Sequence, residues 1–501
     1  MLAETISASI LGVVGTPVRV EVDVAFGLPA LTIVGLAGSQ VQEARERVRS
    51  AIRNSGFELP ARRITVNLSP ADLPKDGTGY DLAIAVGILA ASGQLRSTAR
   101  LACTALVGEL ALDGALRPVA GVMALAAAAR DAGFPDLIIP FAAAAEAAVV
   151  PGLAVRGAGT LADAVAHLAG IRDLPTVTRA AAPDVVGSPD GPDLGDVQGQ
   201  ALARRALEIA VAGRHNLALT GPPGIGKTLL LRCAAGLLPP LGDDEAIEVS
   251  RIYSVAGLLD RRTPLLRARP FRAPHHTIST AALIGGGPHV RPGEASLAHH
   301  GVLMLDETLQ FRADALEALR QPLEAGTVTI ARVEGALTFP ASFALLAAFN
   351  PCPCGWLGAR RRACTCDDSV ARRYAARLSG PLRDRIDLWV NMAEQGSWHA
   401  APAEPSHAVA ARIAAAWQRQ VERQGGANGA LTPNRFAAGE SGFDGHELRH
   451  LVTRGRRFQL SPRRIHRAAR LARTIADLAG SRSIAPAHLD EALAYRPEAR
   501  P

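Results

Sequence analysis

The chain has 501 residues, of which 48% are hydrophobic and only 4% aromatic, and its formal net charge is +7 at pH 7. This length exceeds one ordinary core, so two or three domains are expected, and the scarcity of aromatic rings disfavours a protein that binds single strands mainly by base stacking. Residues 401–501 hold 16 Arg against nine Asp and Glu, an excess that permits a polyanionic partner.

The N-terminus has no signal-peptide pattern. It carries the acidic residue Glu4, and no basic residue precedes its apolar positions. No uninterrupted apolar stretch reaches the length that spans a membrane. Four of the six cysteines crowd between residues 352 and 366, which fits reduced thiols or a metal better than a secreted disulfide framework. We therefore expect a cytoplasmic protein with no membrane partner.

Residues 1–170 alternate short β-rich runs with Ala-rich helical stretches. Residues 18–24 have the period of two that a half-buried strand requires, and residues 64–68 predict a second strand. Residues 40–54 predict a charged helix with one apolar side, whereas residues 81–92 are apolar nearly all round and predict a buried helix.

Three Gly- and Pro-containing segments in this region, residues 73–81, 108–114 and 118–121, resemble the proteolytic domain of Lon-type proteases. Each segment alone would also fit an ordinary turn. When the segments are laid over the family pattern, Gly79 occupies the position of the nucleophilic serine, and Met123 occupies the position of its lysine partner. Neither residue can attack a carbonyl or accept a proton from a nucleophile, so the resemblance implies a Lon-like fold without peptidase chemistry.

A Pro-rich linker is predicted at residues 171–192, and a P-loop follows it at residues 221–228. The apolar run 216–220 precedes the loop and the helical stretch 229–237 follows it, which is the strand–loop–helix context that a P-loop requires. Lys227 is one of only two lysines in the chain. The residues expected to bind ATP here are Gly221, Pro222, Pro223, Gly224, Ile225, Gly226, Lys227, Thr228 and Leu229.

The ammonium of Lys227 and the helix start are expected to meet the β- and γ-phosphates, and the Thr228 hydroxyl to bind Mg²⁺. The apolar strand 301–305 then ends in Asp306 and Glu307, which after a P-loop predicts a Walker B strand. Asp306 is expected to hold Mg²⁺, and Glu307 to orient and deprotonate the attacking water.

Residues 327–339 alternate in polarity on both sides of a Glu-Gly turn and predict a β-hairpin. Arg332 near the tip of this hairpin is a hypothesis for phosphate contact, with an exposed edge-strand charge as the alternative. His275 and His276 are placed in a glycine-rich insert that suits either a pore loop or an ordinary surface loop.

The apolar strand 345–349 ends at Asn350, whose amide is predicted to sense the γ-phosphate or the attacking water; a turn residue before Pro351 is the alternative. Two Cys-x-Cys pairs follow, with nine residues between them. Four thiolates at paired spacing can hold a tetrahedral Zn²⁺, and free thiols are the alternative. The four are Cys352, Cys354, Cys364 and Cys366.

Arg385 is predicted as an arginine finger that reaches the γ-phosphate bound by a neighbouring subunit, with an ion pair to Asp384 or Asp387 as the alternative. Residues 460–463 open a helix in the C-terminal region, and Arg463 is assigned as the second sensor with Arg467 in reserve. A solvated basic face would explain the other arginines of this helix equally well.

Nearly end to end, the chain resembles the Mg-chelatase-like AAA+ ATPases of the ComM/YifB family. The resemblance is carried by residues 271–279, 291–299, 306–307, 350–355, 379–388 and 472–478. Two positions depart from the family pattern: His300 stands where the family has Asn, and Gln310 where it has an acid. The core ATPase residues are unaffected, so the departures concern fine coupling near the pore.

The resemblance implies an α/β multidomain protein that assembles into a nucleotide-dependent homo-hexameric ring. Its parts are a Lon-like α+β domain without the protease dyad (1–170), a linker (171–192), an AAA+ P-loop core with a helix-2 insert, a hairpin before sensor 1 and the four-Cys loop at 352–366 (193–395), and a C-terminal helical lid (396–501). For one family member it further implies ATP-driven branch migration of DNA in natural transformation.

The leading hypothesis is therefore an ATP-hydrolysing, Mg²⁺-dependent ring motor that acts on single-stranded or branched DNA. The alternative is a chelatase motor subunit that drives metal insertion through a protein partner. An ATP-dependent protease is disfavoured by Gly79 and Met123.

Overall fold

The computed structural model describes the chain except residues 37, 74, 96, 180–190, 261, 288–289, 333–334, 394–402, 433, 436–442, 444, 458–459 and 496–501. The chain divides into two compact units. The first contains Met1–Pro183, Asp243–Leu266 and Ala331–Thr338, and the second contains Asp184–Gly242, Arg267–Ile330 and Phe339–Pro501. No helix in the described ranges is both long enough and apolar enough to cross a bilayer.

Strands and helices are numbered separately in chain order. The strands are β1 (Leu2–Leu11), β2 (Val14–Ala25), β3 (Ala30–Val34), β4 (Arg63–Ser69), β5 (Thr104–Leu106), β6 (Glu109–Leu110), β7 (Leu116–Arg117), β8 (Asp136–Pro140), β9 (Ala154–Ala158), β10 (Leu217–Thr220), β11 (Phe271–Arg272), β12 (Gly285–Gly286), β13 (Arg291–Pro292), β14 (Val302–Leu305), β15 (Thr327–Arg332), β16 (Gly335–Pro340), β17 (Ala344–Phe349) and β18 (Leu388–Asn391). The helices are α1 (Ser39–Asn54), α2 (Asp81–Ala91), α3 (Val122–Asp131), α4 (Phe141–Ala147), α5 (Leu161–Leu168), α6 (Ala201–Gly213), α7 (Lys227–Arg232), α8 (Ala234–Leu237), α9 (Asp243–Ala256), α10 (Thr280–Ile284), α11 (Glu294–Leu297), α12 (Ala313–Ala318), α13 (Arg320–Ala325), α14 (Asp368–Ala375), α15 (Gly380–Arg383), α16 (Ser406–Gln424), α17 (Gly445–Arg457), α18 (Pro462–Leu478) and α19 (Pro486–Ala494).

The first unit is built on a mixed seven-stranded sheet in the order β3-β4-β2-β1-β5-β8-β9. The central pairs β1–β2 and β2–β4 are antiparallel, while β5, β8 and β9 run parallel to one another. The predicted period-two strand lies within β2, where every second residue from Val18 to Val24 is buried. The predicted all-round apolar helix is α2, and its residues are buried from Asp81 to Leu89.

Helix α9 belongs to the first unit although it follows the P-loop in sequence. It packs against α3. The Gly121 amide donates to the Ser254 carbonyl at 3.0 Å, and the Ser254 hydroxyl donates to Glu146 at 2.5 Å. These contacts tie the helix to the N-terminal fold, although it lies within the range 193–395 that the sequence assigns to the AAA+ core.

The second unit is built on a parallel five-stranded sheet in the order β11-β14-β17-β10-β18. Both faces are covered, so the strands are mostly apolar, and alternate residues enter different cores. In β14, Val302 and Met304 join one apolar cluster and Leu303 and Leu305 the other. Because β17 lies between β10 and β14, the carboxyl ends of these three strands meet at one edge of the sheet.

The C-terminal helices cover one face of this sheet. Helices α16 and α18 pack against α6, and their apolar residues join the same buried cluster as β10 and β17. Helix α18 begins as predicted: the Ser461 side chain accepts the amide of Arg464, and Pro462 occupies the first turn, where its missing N–H costs no hydrogen bond.

Candidate active site

The predicted P-loop joins β10 to α7 at the carboxyl edge of the sheet. Gly224 and Gly226 have φ of +80° and +89°, a left-handed conformation that side chains disfavour. Gly226 directly precedes Lys227, the first residue of α7. The local sequence therefore turns the chain sharply and begins α7 at this edge of the sheet, the setting in which a P-loop binds an anion.

Lys227 is the most constrained side chain of the site. Its ammonium donates to the carbonyls of Gly221 and Pro222, both at 2.7 Å, and to Oδ1 of Asn350 at 3.0 Å. Only 8% of the residue is exposed. This burial lowers the pKa of Lys227 to about 8, against the opposing effect of Asp306 and Glu307. Asn350 directly follows β17, so the predicted sensor amide does lie beside the predicted phosphate-binding lysine.

Thr228 and Asp306 form the second pair at this edge. The Thr228 hydroxyl donates to Oδ2 of Asp306 at 2.9 Å, and the amide of Glu307 donates to Oδ1 at 3.0 Å. A hydroxyl and a carboxylate are the oxygen ligands that Mg²⁺ uses beside substrate phosphates. The donor set therefore fits the predicted magnesium role.

Glu307 leaves the Walker B strand in a left-handed conformation, with φ of +48°. Such a backbone is costly for a residue with a side chain and persists where the surrounding structure holds it. The side chain is 59% exposed, and Nδ1 of His276 lies 3.7 Å from its Oε2. The sequence placed His276 in an insert and gave no sign of this contact, which depends on the pairing of β11 with β14.

Arg385 and Arg463 line a second site, a cavity of about 1180 Å³ whose lining includes no residue of the P-loop. Arg385 pairs with Glu324 and donates to the Pro381 carbonyl at 2.7 Å. The hydrogen bond from Arg385 lowers the pKa of Glu324. The sequence had named Asp384 or Asp387 as the competing ion-pair partner of Arg385, whereas the structure shows Glu324.

Two neighbouring acids are instead engaged by other arginines of α18. Asp384 pairs with Arg464 at 3.0 Å. Asp387 lies 3.9 Å from Arg467 and 3.6 Å from Arg470. Arg467, the reserve choice for the second sensor, therefore faces a buried carboxylate, while Arg463 is exposed at the start of the helix.

The two departures from the family pattern occupy different settings. His300 has φ of +57°, a conformation that Asn and His tolerate better than most residues, so the exchange of Asn for His suits the backbone. Its ring lies 3.2 Å from an Arg214 nitrogen. Gln310 is exposed, and its backbone N–H donates to the backbone carbonyl of Glu307 at 2.7 Å.

The predicted hairpin forms a two-stranded sheet of β15 and β16. Arg332 is the last residue of β15. His275 and His276 stack with ring centroids 4.1 Å apart, before the short β12–β13 ribbon.

The four predicted thiols come together between β17 and α14. The Sγ atom of Cys352 lies 3.4 Å from that of Cys354 and 3.6 Å from that of Cys364, and the latter two are 3.5 Å apart. Cys366 completes a group whose sulphurs all lie within 4.8 Å of one another.

The positions of the Lon-type dyad are inert in the first unit. Gly79 has no side chain, and Met123 is buried within α3. The nearby acid Asp81 is held by a bidentate contact with Arg47, at 2.6 and 3.1 Å.

Three family models match the chain: "Subunit ChlI of Mg-chelatase" over residues 20–143, "Magnesium chelatase, subunit ChlI" over 193–399, and "Magnesium chelatase, subunit ChlI C-terminal" over 403–496. YifB of Salmonella typhimurium is 43% identical over 490 residues, which cover 97% of this chain and 95% of the relative. Competence protein ComM of Haemophilus influenzae is 42% identical over 504 residues, covering 99% and 97%. Lon protease of Chloroflexus aurantiacus is 31% identical over 144 residues, 26% of this chain and 17% of the protease.

Proposed function

Since the chain belongs to the ComM/YifB family of magnesium-chelatase-like AAA+ ATPases, we propose that it is an ATP-hydrolysing ring motor that acts on DNA. The observation that carries the proposal is the hydrogen bond from Lys227 to Asn350 beside the hydrogen bond from Thr228 to Asp306. These bonds bring residues from three adjacent strand ends together at one edge, which supports a phosphate site there.

Each residue of this edge has a defined task. Lys227 exchanges its carbonyl partners for β- and γ-phosphate oxygens, and the α7 amides bind the same anion. Thr228 and Asp306 would hold Mg²⁺, which when bound neutralises phosphate charge. Asn350 orients the γ-phosphate or the attacking water, and Glu307 accepts the proton of that water. His276 lies beside Glu307 and orients its carboxylate.

Two arginines of the chain are proposed to act at a phosphate site other than that of their own P-loop. Arg385 and Arg463 line a cavity that lacks P-loop residues. An arginine finger must reach the transferred γ-phosphate to stabilise its charge. We therefore place the two arginines at the nucleotide of a neighbouring chain, in the homo-hexameric ring that the family resemblance implies, with assembly favoured by nucleotide.

DNA is proposed as the substrate of the motor on two grounds. The relative ComM bears the name of a competence protein and matches the chain over 99% of its length. The β15–β16 hairpin directly precedes the sensor strand, so a change at the γ-phosphate has a short route to it. Arg332 at the end of β15 would contact backbone phosphates, which predicts salt-dependent binding.

The test is the ATPase rate of the full chain without nucleic acid and then with single-stranded, duplex and branched DNA. We expect stimulation by single-stranded or branched DNA. Arg332→Ala should remove the stimulation and spare the basal rate, whereas Arg49→Ala, which deletes the same charge from the exposed face of α1, should leave both unchanged. An ATPase rate that none of these DNAs changes would refute the hypothesis of a DNA motor.

The chelatase hypothesis is supported by the names of the three matching family models. It predicts that a protein partner rather than DNA stimulates turnover. Stable capture of an integrin-like chelatase partner, together with ATP turnover that does not depend on DNA, would support the chelatase hypothesis over the DNA motor.

A further inference from the structure

The loop of residues 351–367, between Asn350 and α14, contains no strand or helix and carries three consecutive arginines. Of its four cysteines only Cys352 is buried. A loop this polar has little apolar packing to fix its shape. Some other interaction must therefore order it if its position matters.

The sulphur geometry matches a tetrahedral metal site. Zn–S bonds of about 2.3 Å place thiolate sulphurs about 3.8 Å apart at the corners of a tetrahedron. Three of the separations, 3.4 to 3.6 Å, are close to that edge, all four sulphurs lie within 4.8 Å of one another, and a disulfide requires about 2.05 Å. The Cys366 amide also points to the Cys364 sulphur at 3.4 Å, a contact that stabilises a thiolate ligand.

The same loop touches the phosphate site. Gly355 has φ of +83°, and a Cβ placed on it would lie 2.8 Å from Cδ of Pro223 and 3.7 Å from Cγ of Asn350. The Gly355 backbone therefore approaches the P-loop proline too closely to leave room for a side chain, and it lies near the sensor side chain. Gly355 is also tied to the cysteine cluster, since its amide donates to the Cys352 carbonyl at 3.0 Å.

We propose that Cys352, Cys354, Cys364 and Cys366 bind one Zn²⁺ as a structural site, and that the metal-ordered loop braces the P-loop through Gly355. The metal site stands on the thiol geometry alone. The brace rests on the proposed ATPase function, because its effect is read at the nucleotide.

The first experiment measures the metal content of the purified full-length chain by mass spectrometry. We expect about one zinc per chain in the wild type and in Cys103→Ser, whose thiol lies outside the cluster, and less than about 0.2 in Cys354→Ser and Cys364→Ser. Circular dichroism checks that the variants fold. If the variants do not fold, the wild type is titrated with a mercurial reagent. Release of zinc as four thiols react then reports the same site. Absence of zinc from the wild type, or iron in its place, overturns the metal assignment.

The second experiment separates the brace from the metal. Gly355→Ala adds a methyl group against Pro223 and should weaken binding of a fluorescent ATP analogue by about 5- to 100-fold while zinc is retained. Gly358→Ala is the matched control, because Gly358 has φ of +79° in the same loop but nothing within 4 Å of its added methyl group. Equal effects of the two changes, or full ATP affinity in zinc-free Cys354→Ser, would refute the brace and leave the metal site standing. A wild type that binds no ATP would instead refute the proposed function.

Discussion

ATP binding should weaken above neutral pH because of Lys227. Burial lowers the pKa of its ammonium to about 8. The charged form therefore prevails at pH 7 and the neutral amine at pH 9, where about one side chain in eleven keeps its proton. If the ammonium is the form that binds the phosphates, the apparent Kd rises about tenfold from pH 7 to pH 9, which corresponds to about 1.4 kcal/mol.

The assay is a titration of the full chain with a fluorescent ATP analogue at constant ionic strength, without Mg²⁺, from pH 7 to pH 9. Asn350→Asp places a carboxylate about where Oδ1 now lies, 3.0 Å from the ammonium, so it should raise the pKa of Lys227 and move the loss of affinity to higher pH. Asn54→Asp adds the same charge to the exposed end of α1 and should not move it. Equal affinity of the wild type at pH 7 and pH 9 would refute the argument from burial.

Three further changes test the base, the arginine and the core. Glu307→Gln should retain bound ATP while steady-state turnover falls by about 10²- to 10⁴-fold, and unchanged turnover would exclude Glu307 as the base. Arg385→Ala should bind ATP without turning it over, and mixing it with Lys227→Ala should restore part of the turnover; no recovery would contradict action across a chain boundary. Leu346→Ala should lower the free energy of unfolding of the ATPase unit by about 2–5 kcal/mol in calorimetry. The exposed Leu112→Ala should change stability by less than about 0.5 kcal/mol, and equal effects would contradict the assignment of Leu346 to the core.

Local sequence patterns predicted the individual strands and helices better than they predicted which of these elements pack against one another. The period of two in β2 and the all-round apolar character of α2 follow directly from which faces are covered. The packing of α9 against the N-terminal fold could not be predicted in the same way. It depends on contacts such as that of Ser254 with Glu146, residues 108 positions apart, and no local preference encodes them.

The site shows the same division. The proximity of Lys227, Thr228 and Asp306 was predictable, because the P-loop has a fixed spacing along the chain and Asp306 directly follows an apolar strand. The approach of His276 to Glu307 was not, because it requires β11 to lie beside β14. The partner of Arg385 was also missed, since nearby aspartates were considered and Glu324, 61 positions away, was not.

The edge at which β10, β14 and β17 end requires loops of fixed shape that have little apolar core of their own. After β10 the chain meets this need with left-handed glycines and with the two carbonyl hydrogen bonds of Lys227. After β17 it uses four clustered thiols and the contact of Gly355 with Pro223. If the proposed brace holds, each loop limits the movement of the other, and Asn350 lies between them, 3.0 Å from the Lys227 ammonium and close to Gly355. On that proposal a change at the cysteines, more than a hundred residues from the P-loop in sequence, would act on nucleotide binding through Gly355 and Pro223.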